Sequence, residues 1–304
     1  MEVESLTAKI CAWARAKHLE ESRVPIFSDA LAGRLLDQKG KKEVENALFE
    51  LGKETPQDYQ RQREIWFPVP LSRSAWAEAG LKAFADGKSA IQYVVLGAGY
   101  DTFAWRNKDK RIRVYEVDHP LTQALKIKRV QELGWENGPV FVPVDFAKDS
   151  LSGVLLKAGF DPYVPSFFTI LGVSWYLSLG SFEKTLGAIR SLMRAPARVY
   201  FDFPGKGLEP EREKELSRQT KRFGEPLARG YRVQTFAKRM KSAGFDEVEH
   251  LRPTEISKKY FQNRADGLSA YENVHFVGLS TRQASGAVHS ESKLLVGADQ
   301  IKTE

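Results

Sequence analysis

A chain of 304 residues with 42% hydrophobic content is long enough to bury a substantial core and to build one large α/β domain with an appendage. No run approaches the roughly 18 apolar residues of a membrane span, and a start reading Met1-Glu-Val-Glu-Ser5 is the wrong chemistry for a signal peptide, so the expectation is a cytoplasmic protein without a membrane partner. A net charge of +7 from 46 basic and 39 acidic residues is a small excess, with no basic stripe interleaved with aromatics, and this argues against nucleic acid; a single cysteine, Cys11, and five scattered histidines exclude a disulfide framework and offer no metal-ligand spacing.

The first 85 residues read as helical. Leu6, Ile10, Trp13 and Ala14 repeat at helical spacing, as do Phe27, Ala30, Leu31 and Leu35 after Pro25. Residues 40–52 are charged and helical, and Trp66-Phe-Pro-Val-Pro70 interrupts the pattern, because two prolines in three residues do not sit in a helix interior. Helix resumes over 71–84. So much helix ahead of the first strand predicts an N-terminal cap, residues 1–85, over whatever the following core binds.

Strand and helix then alternate: strands at 92–96, 114–117, 140–144, 167–171 and 198–203, with helical patterns between most of them. The clearest helix spans 181–193, with Ser181 as its cap and Phe182, Leu186, Ile189 and Met193 on one face. Such alternation predicts a parallel, doubly wound sheet. Residues 204–230 are charged and suggest a lid insertion, and 236–243 forms a further helix. Strands at 247–251 and 275–280 are joined by a stretch with little crossover character, so the last strand is expected to run antiparallel. The core domain is thus 86–282 and a polar tail occupies 283–304.

The chemistry centres on residues 92–102. Tyr93 to Leu96 is a short continuous apolar run, as in a strand covered on both faces. Gly97, Ala98 and Gly99 follow, where missing Cβ atoms allow a sharp turn and let a ligand lie on bare backbone. A dinucleotide fingerprint wants a third glycine where Thr102 stands, and Asp101 opposes phosphate. A cofactor with a positive charge, an amino group and no phosphate fits instead, namely S-adenosyl-L-methionine. About 20 residues beyond the first glycine, Asp118 closes the second strand where a carboxylate reaches ribose hydroxyls, with Glu116 its neighbour and competitor and helix capping its alternative role.

Taken together, Leu96-Gly-Ala-Gly-Tyr-Asp-Thr-Phe-Ala-Trp-Arg106 and Tyr115-Glu-Val-Asp-His-Pro120 resemble the signature of the leucine carboxyl methyltransferase family, which includes bacterial O-methyltransferases of polyketide pathways of the tetracenomycin type. Arg15-Ala-Lys-His18, Phe27-Ser-Asp29 and Phe168-Thr-Ile-Leu-Gly-Val-Ser-Trp-Tyr-Leu177 resemble its bacterial branch. The resemblance implies a class I methyltransferase fold, Rossmann-like, with six parallel strands and one antiparallel. It also implies S-adenosyl-L-methionine as cofactor, Asp118 as the second acid of a Glu-x-Asp pair, and Arg73 as the residue that grips the methionine carboxylate. A guanidinium suits that grip because it offers two parallel hydrogen bonds at any working pH. Asp145 and Phe146, ending the third strand, are candidates for the adenine amino group and ring. At Leu171 many relatives carry an acid; leucine here makes the adenosine packing more apolar and weakens any transfer of a protein substrate from the family.

Because a sulfonium already activates the methyl carbon, a carboxylate acceptor needs only alignment and exclusion of water, whereas a hydroxyl needs a base. No histidine stands out as that base, and His119, before Pro120, reads equally as structural. The expectation is an O-methyltransferase of a small carboxylic acid or phenol, with Arg106, Trp175 and Tyr176 as candidates for the acceptor site. Each of the three has an alternative in ordinary packing or pairing. A protein C-terminal carboxylate, a nicotinamide-dependent oxidation and a non-catalytic cofactor-binding module are the competing readings.

Overall fold

The structure, a computed structural model, describes residues 4–49, 55–145, 148–207, 210–228 and 230–281. It opens with five helices: α1 (Leu6–Glu21), α2 (Ala32–Leu35), α3 (Gln38–Leu48), α4 (Pro56–Trp66) and α5 (Pro68–Ala85). Side chains start three of them: Ser5 accepts from Ala8 N, Asp37 accepts from Gly40 N, and Thr55 forms a capping box with Asp58. The expected helix after Pro25 contracts to Ala32–Leu35. Asp29 Oδ1 accepts from the N–H groups of Leu31 and Ala32, a local side-chain bond that competes with helix upstream.

The prolines also require a correction. The chain does break at Phe67, yet α5 begins at Pro68 and holds Pro68 and Pro70 in its first turn. There the backbone N–H has no intrahelical acceptor, so proline costs nothing and its fixed φ is already helical.

The strands are β1 (Ile91–Leu96), β2 (Ile112–Asp118), β3 (Val140–Pro143), β4 (Ser166–Ile170), β5 (Ala197–Pro204), β6 (Phe245–Leu251) and β7 (Val274–Thr281). They form one sheet in the order β3-β2-β1-β4-β5-β7-β6. The first five pair in parallel, and β7 runs antiparallel to both β5 and β6. Intervening helices are α6 (Phe103–Arg106), α7 (Pro120–Glu132), α8 (Leu151–Lys157), α9 (Leu179–Leu192), α10 (Glu211–Arg222), α11 (Val233–Ser242) and α12 (Pro253–Ile256). Strand order reverses between β1 and β4, and a crevice opens at such a reversal on the carboxyl side of the strands.

All six residues of β1 are buried, which accounts for the unbroken apolar run from Tyr93 to Leu96. Tyr93 and Val95 join the core shared with α1 and α5, while Val94 and Leu96 face the core built with α9. On α9, Phe182, Leu186 and Ile189 are fully buried as the spacing predicts, but the cap is Ser178, whose Oγ accepts from Ser181 N. Helix α5 lies unusually close to the sheet. Trp76 stacks on Tyr200 with centroids 4.3 Å apart and on Phe276 at 5.3 Å. A Cβ on Gly80 would sit 2.3 Å from the Tyr200 ring and one on Gly278 of β7 2.5 Å from it, so the ring fits only because both positions are glycine. Among the described residues no helix is long and apolar enough to cross a membrane, and no group of three or more His, Cys, Asp or Glu could hold a metal ion.

Inside the helical cap, His18 is fully buried, and its Nε2 accepts from Ile26 N at 3.0 Å. Burial, with Arg264 nearby, lowers its pKa to about 4. Between pH 6.5 and about 4 the unfolded chain therefore binds a proton that the folded chain refuses, so stability falls as pH falls, by up to about 3 kcal/mol for this group. His275 on β7, also lowered to about 4 by burial, acts in the same direction. Urea unfolding should show a midpoint that drops from pH 6.5 to 4.5, with a shallower drop in His18→Gln. A variant that tracks the parent over that range would exclude His18 as a source.

Candidate active site

The carboxyl ends of the central strands and helices α1, α4 and α5 line a cavity of about 970 Å³. That is the upper end of the roughly 300–1,000 Å³ range of ligand sites, enough for a cofactor beside a second small molecule. At its centre the chain leaves β1 through Gly97, Ala98 and Gly99, all in the lining. Gly97 has φ +71° and Gly99 φ +47°, the left-handed region that glycine tolerates. Space reinforces the choice, since a Cβ on Gly97 would lie 2.3 Å from Val173 Cγ2 and one on Gly99 3.1 Å from Ala8 of α1.

Asp118, at the end of β2, lies in the lining and is fastened to this turn. Its Oδ2 accepts from Gly99 N at 2.5 Å and its Oδ1 from His119 N at 2.6 Å. Burial raises the Asp118 carboxyl above the usual range, and those two amides oppose the shift. The cap of α7 is His119, whose Nδ1 accepts from Leu121 N, rather than Asp118. Glu116 drops out as a competitor: it is fully buried away from the cavity, 2.6 Å from Lys126 Nζ, and burial pushes its pKa up to about 7.

On α5, Arg73 reaches the lining and makes an ion pair with Asp202 of β5, Nη1 to Oδ2 at 3.2 Å. Leu171, Trp175 and Tyr176 line the cavity from the turn after β4. Trp175 is nearly buried and donates Nε1–H to Asp202 Oδ2 at 2.7 Å. Tyr176 is 37% exposed and donates its hydroxyl to Thr7 Oγ1 at 3.1 Å.

Two candidates are not brought in. Arg106 is absent from the lining and is committed to a half-buried ion-pair cluster, with two hydrogen bonds to Glu78, one to Thr102 Oγ1 at 2.9 Å and Asp29 Oδ1 at 3.3 Å. This is the pairing role that stands as the alternative to an acceptor-site role for Arg106. Asp145 is likewise outside the lining and pairs with Lys148 at 2.9 Å; Asp149 lines the cavity instead and its carboxylate accepts from Asp145 N. Phe146 lies outside the described residues.

Sequence reasoning missed several groups that matter to the geometry. The Arg15 and Asp29 segments meet: Arg15 Nε contacts Asp29 Oδ2 at 2.9 Å, Arg15 Nη2 donates to Tyr100 O at 2.8 Å, and Thr102 donates to Asp29 Oδ1 at 2.6 Å. The cap is thereby tied to the glycine turn. A second tie is Glu225, just after α10, whose carboxylate accepts from Ser5 Oγ, Leu6 N, Thr7 N and Thr7 Oγ1 at the amino end of α1, at 2.6–3.1 Å. A carboxylate suits a helix amino terminus, where free N–H groups and the dipole both favour negative charge. Nothing in the local sequence marks the pairing of Glu225 with Thr7 or of Asp202 with Arg73, partners over 100 residues apart.

A doubly wound sheet with an antiparallel seventh strand, a glycine turn after β1 and an acid closing β2 defines the class I S-adenosyl-L-methionine-dependent methyltransferases, and the protein is an enzyme of that class. The profile of the leucine carboxyl methyltransferase family matches residues 8–190, and the chain belongs to that family. YktD of Bacillus subtilis (strain 168), whose name carries a provisional assignment as an S-adenosyl-L-methionine-dependent methyltransferase, is 32% identical over 297 residues, covering 90% of this chain and 96% of that one. Two solved structures share the fold. A provisionally assigned methyltransferase from Thermobifida fusca gives TM-score 0.50 at 16% identity, over 83% of this chain and 92% of that one. A duf574 family protein from Streptomyces avermitilis gives 0.51 at 13%, over 79% and 95%. The nicotinamide and non-catalytic readings are set aside.

Proposed function

We propose that the enzyme methylates the carboxylate of a small apolar acid. Residues in the cavity fit the cofactor at both ends. Asp118 would hold the ribose hydroxyls, Arg73 the methionine carboxylate, and Gly97 to Gly99 the bare surface against which the nucleoside lies; Leu171 adds apolar contact. When bound, S-adenosyl-L-methionine supplies a methyl carbon already activated by its sulfonium.

The remaining work of the protein is alignment and exclusion of water. Ile65, Trp66, Val69, Leu216 and Leu227, from the cap and from α10 and its sequel, give the cavity an apolar wall. The observation that carries the reading is this apolar wall beside lining groups that are mostly engaged already, Arg15 with Asp29 and Arg73 with Asp202. Such a lining favours an acceptor with an apolar body. Several lining groups that could act as a base are engaged or raised in pKa. Glu225 already accepts four hydrogen bonds, burial raises the pKa of the Cys11 thiol and the Tyr176 hydroxyl, and one nitrogen of His119 serves the α7 cap. An acceptor that arrives ionised fits this better than a phenol. The cap and the Glu225 segment close over the cavity, which favours a small molecule over a protein C-terminus.

Methyl transfer to a panel of aromatic and aliphatic acids, their phenol counterparts and a peptide with a free C-terminus tests the proposal. Apolar acids should lead by at least about tenfold in kcat/KM, a difference of about 1.4 kcal/mol in transition-state stabilisation. Turnover confined to phenols, or to the peptide, would overturn it.

A further inference from the structure

We infer that Asp202 is a positioning residue for the amino-acid end of the cofactor, acting through Arg73; the inference rests on the role proposed for Arg73 above. Asp202 is fully buried in β5. Its Oδ1 accepts from Gly172 N at 2.7 Å, and its Oδ2 accepts from Trp175 Nε1 at 2.7 Å and from Arg73 Nη1 at 3.2 Å. Its backbone carbonyl accepts from Ser174 Oγ. One carboxylate thus joins β5, the turn after β4 and the helix that carries Arg73. Gly172 completes the arrangement: with φ +74° and no Cβ it leaves room for the guanidinium, whose nitrogens would lie 2.6 Å from a side chain there.

A buried ion pair of this kind adds little net stability compared with apolar packing, because desolvation offsets the attraction. It does fix where a charge sits. Two effects compete when the carboxylate is neutralised. Removing a negative charge beside Arg73 strengthens its field toward any other anion, while removing the anchor lets the guanidinium leave the place from which it makes parallel hydrogen bonds. Place should win, because Asn cannot reproduce the acceptor set: either amide orientation turns an NH₂ toward Gly172 N–H or toward the Trp175 and Arg73 donors.

The test compares two nucleoside thioethers by calorimetry. S-adenosyl-L-homocysteine has the amino-acid end, and 5′-deoxy-5′-methylthioadenosine lacks it. Asp202→Asn should weaken the first about tenfold or more and the second less than threefold. General damage to the fold would weaken both alike, and that outcome overturns the inference, as does an unchanged or increased affinity for S-adenosyl-L-homocysteine. If Asp202→Asn does not fold, as judged by near-ultraviolet circular dichroism, Asp202→Thr, which suits a strand, takes its place under the same criteria. Arg73→Ala separates the two levels. Selectivity lost in Arg73→Ala but kept in Asp202→Asn defeats the inference alone, and selectivity kept in both defeats the reading of Arg73 with it.

Discussion

Arg73→Ala is expected to reduce affinity for S-adenosyl-L-homocysteine on the order of 100-fold, about 3 kcal/mol, through loss of one or two charge-assisted hydrogen bonds. The same change should lower folding stability by about 3 kcal/mol, because it strands the fully buried Asp202 carboxylate. The lower end of the usual 3–5 kcal/mol range for an orphaned buried charge applies, since Gly172 N and Trp175 Nε1 still donate to it. Calorimetry well below the unfolding temperature reads the first effect and urea unfolding of the ligand-free protein the second. Affinity within about threefold of the parent would remove Arg73 from the cofactor's anionic end, whatever its structural cost.

Gly97→Ala should be nearly as damaging, for two separable reasons. A non-glycine residue held at φ +71° costs about 1–2 kcal/mol. The new Cβ would also stand 2.3 Å from Val173 Cγ2, and forced overpacking of that kind costs typically about 1–3 kcal/mol. Val173 belongs to the turn that carries Leu171, Gly172 and Trp175, so relief of the clash displaces the wall opposite the glycine turn. The double variant Gly97→Ala/Val173→Ala removes the clashing methyl and leaves Val173 Cβ at an ordinary 3.7 Å. It should recover the overpacking share in urea unfolding and leave the backbone share, less what the Val173 truncation itself costs. A double variant no more stable than Gly97→Ala would show that the overlap is not the cause.

What could be read in advance follows from where the information lies along the chain. Strand β1 was legible because burial on both faces leaves a run of apolar residues with no polar interruption, and the glycines after it declare a turn. The position of Asp118, though not its role, was legible because it depends only on where β2 ends. The prolines misled because the helix rule depends on position: two prolines forbid a helix interior, yet open α5. Ser178 and Ser181 both stand at the start of one amphipathic pattern, and only the backbone decides which one is left outside the helix. Arg106 could not be assigned from sequence, since Glu78 and Asp29 meet it only after α5 and the cap fold back. Asp202 was invisible for the same reason, a carboxylate in an apolar strand whose three donors come from two other elements.

The contact between α5 and the sheet bears on how this architecture could be taken apart. The Tyr200 ring, wedged between Gly80 and Gly278 and stacked on Trp76, packs the helix that presents Arg73 directly onto the sheet. A graft that swaps the helices ahead of α5 for those of a relative, to change the acceptor, therefore has its natural seam at Phe67, ahead of Pro68. A cut downstream of that point would carry Arg73, the residue proposed to hold the cofactor's carboxylate, away with the transplanted piece.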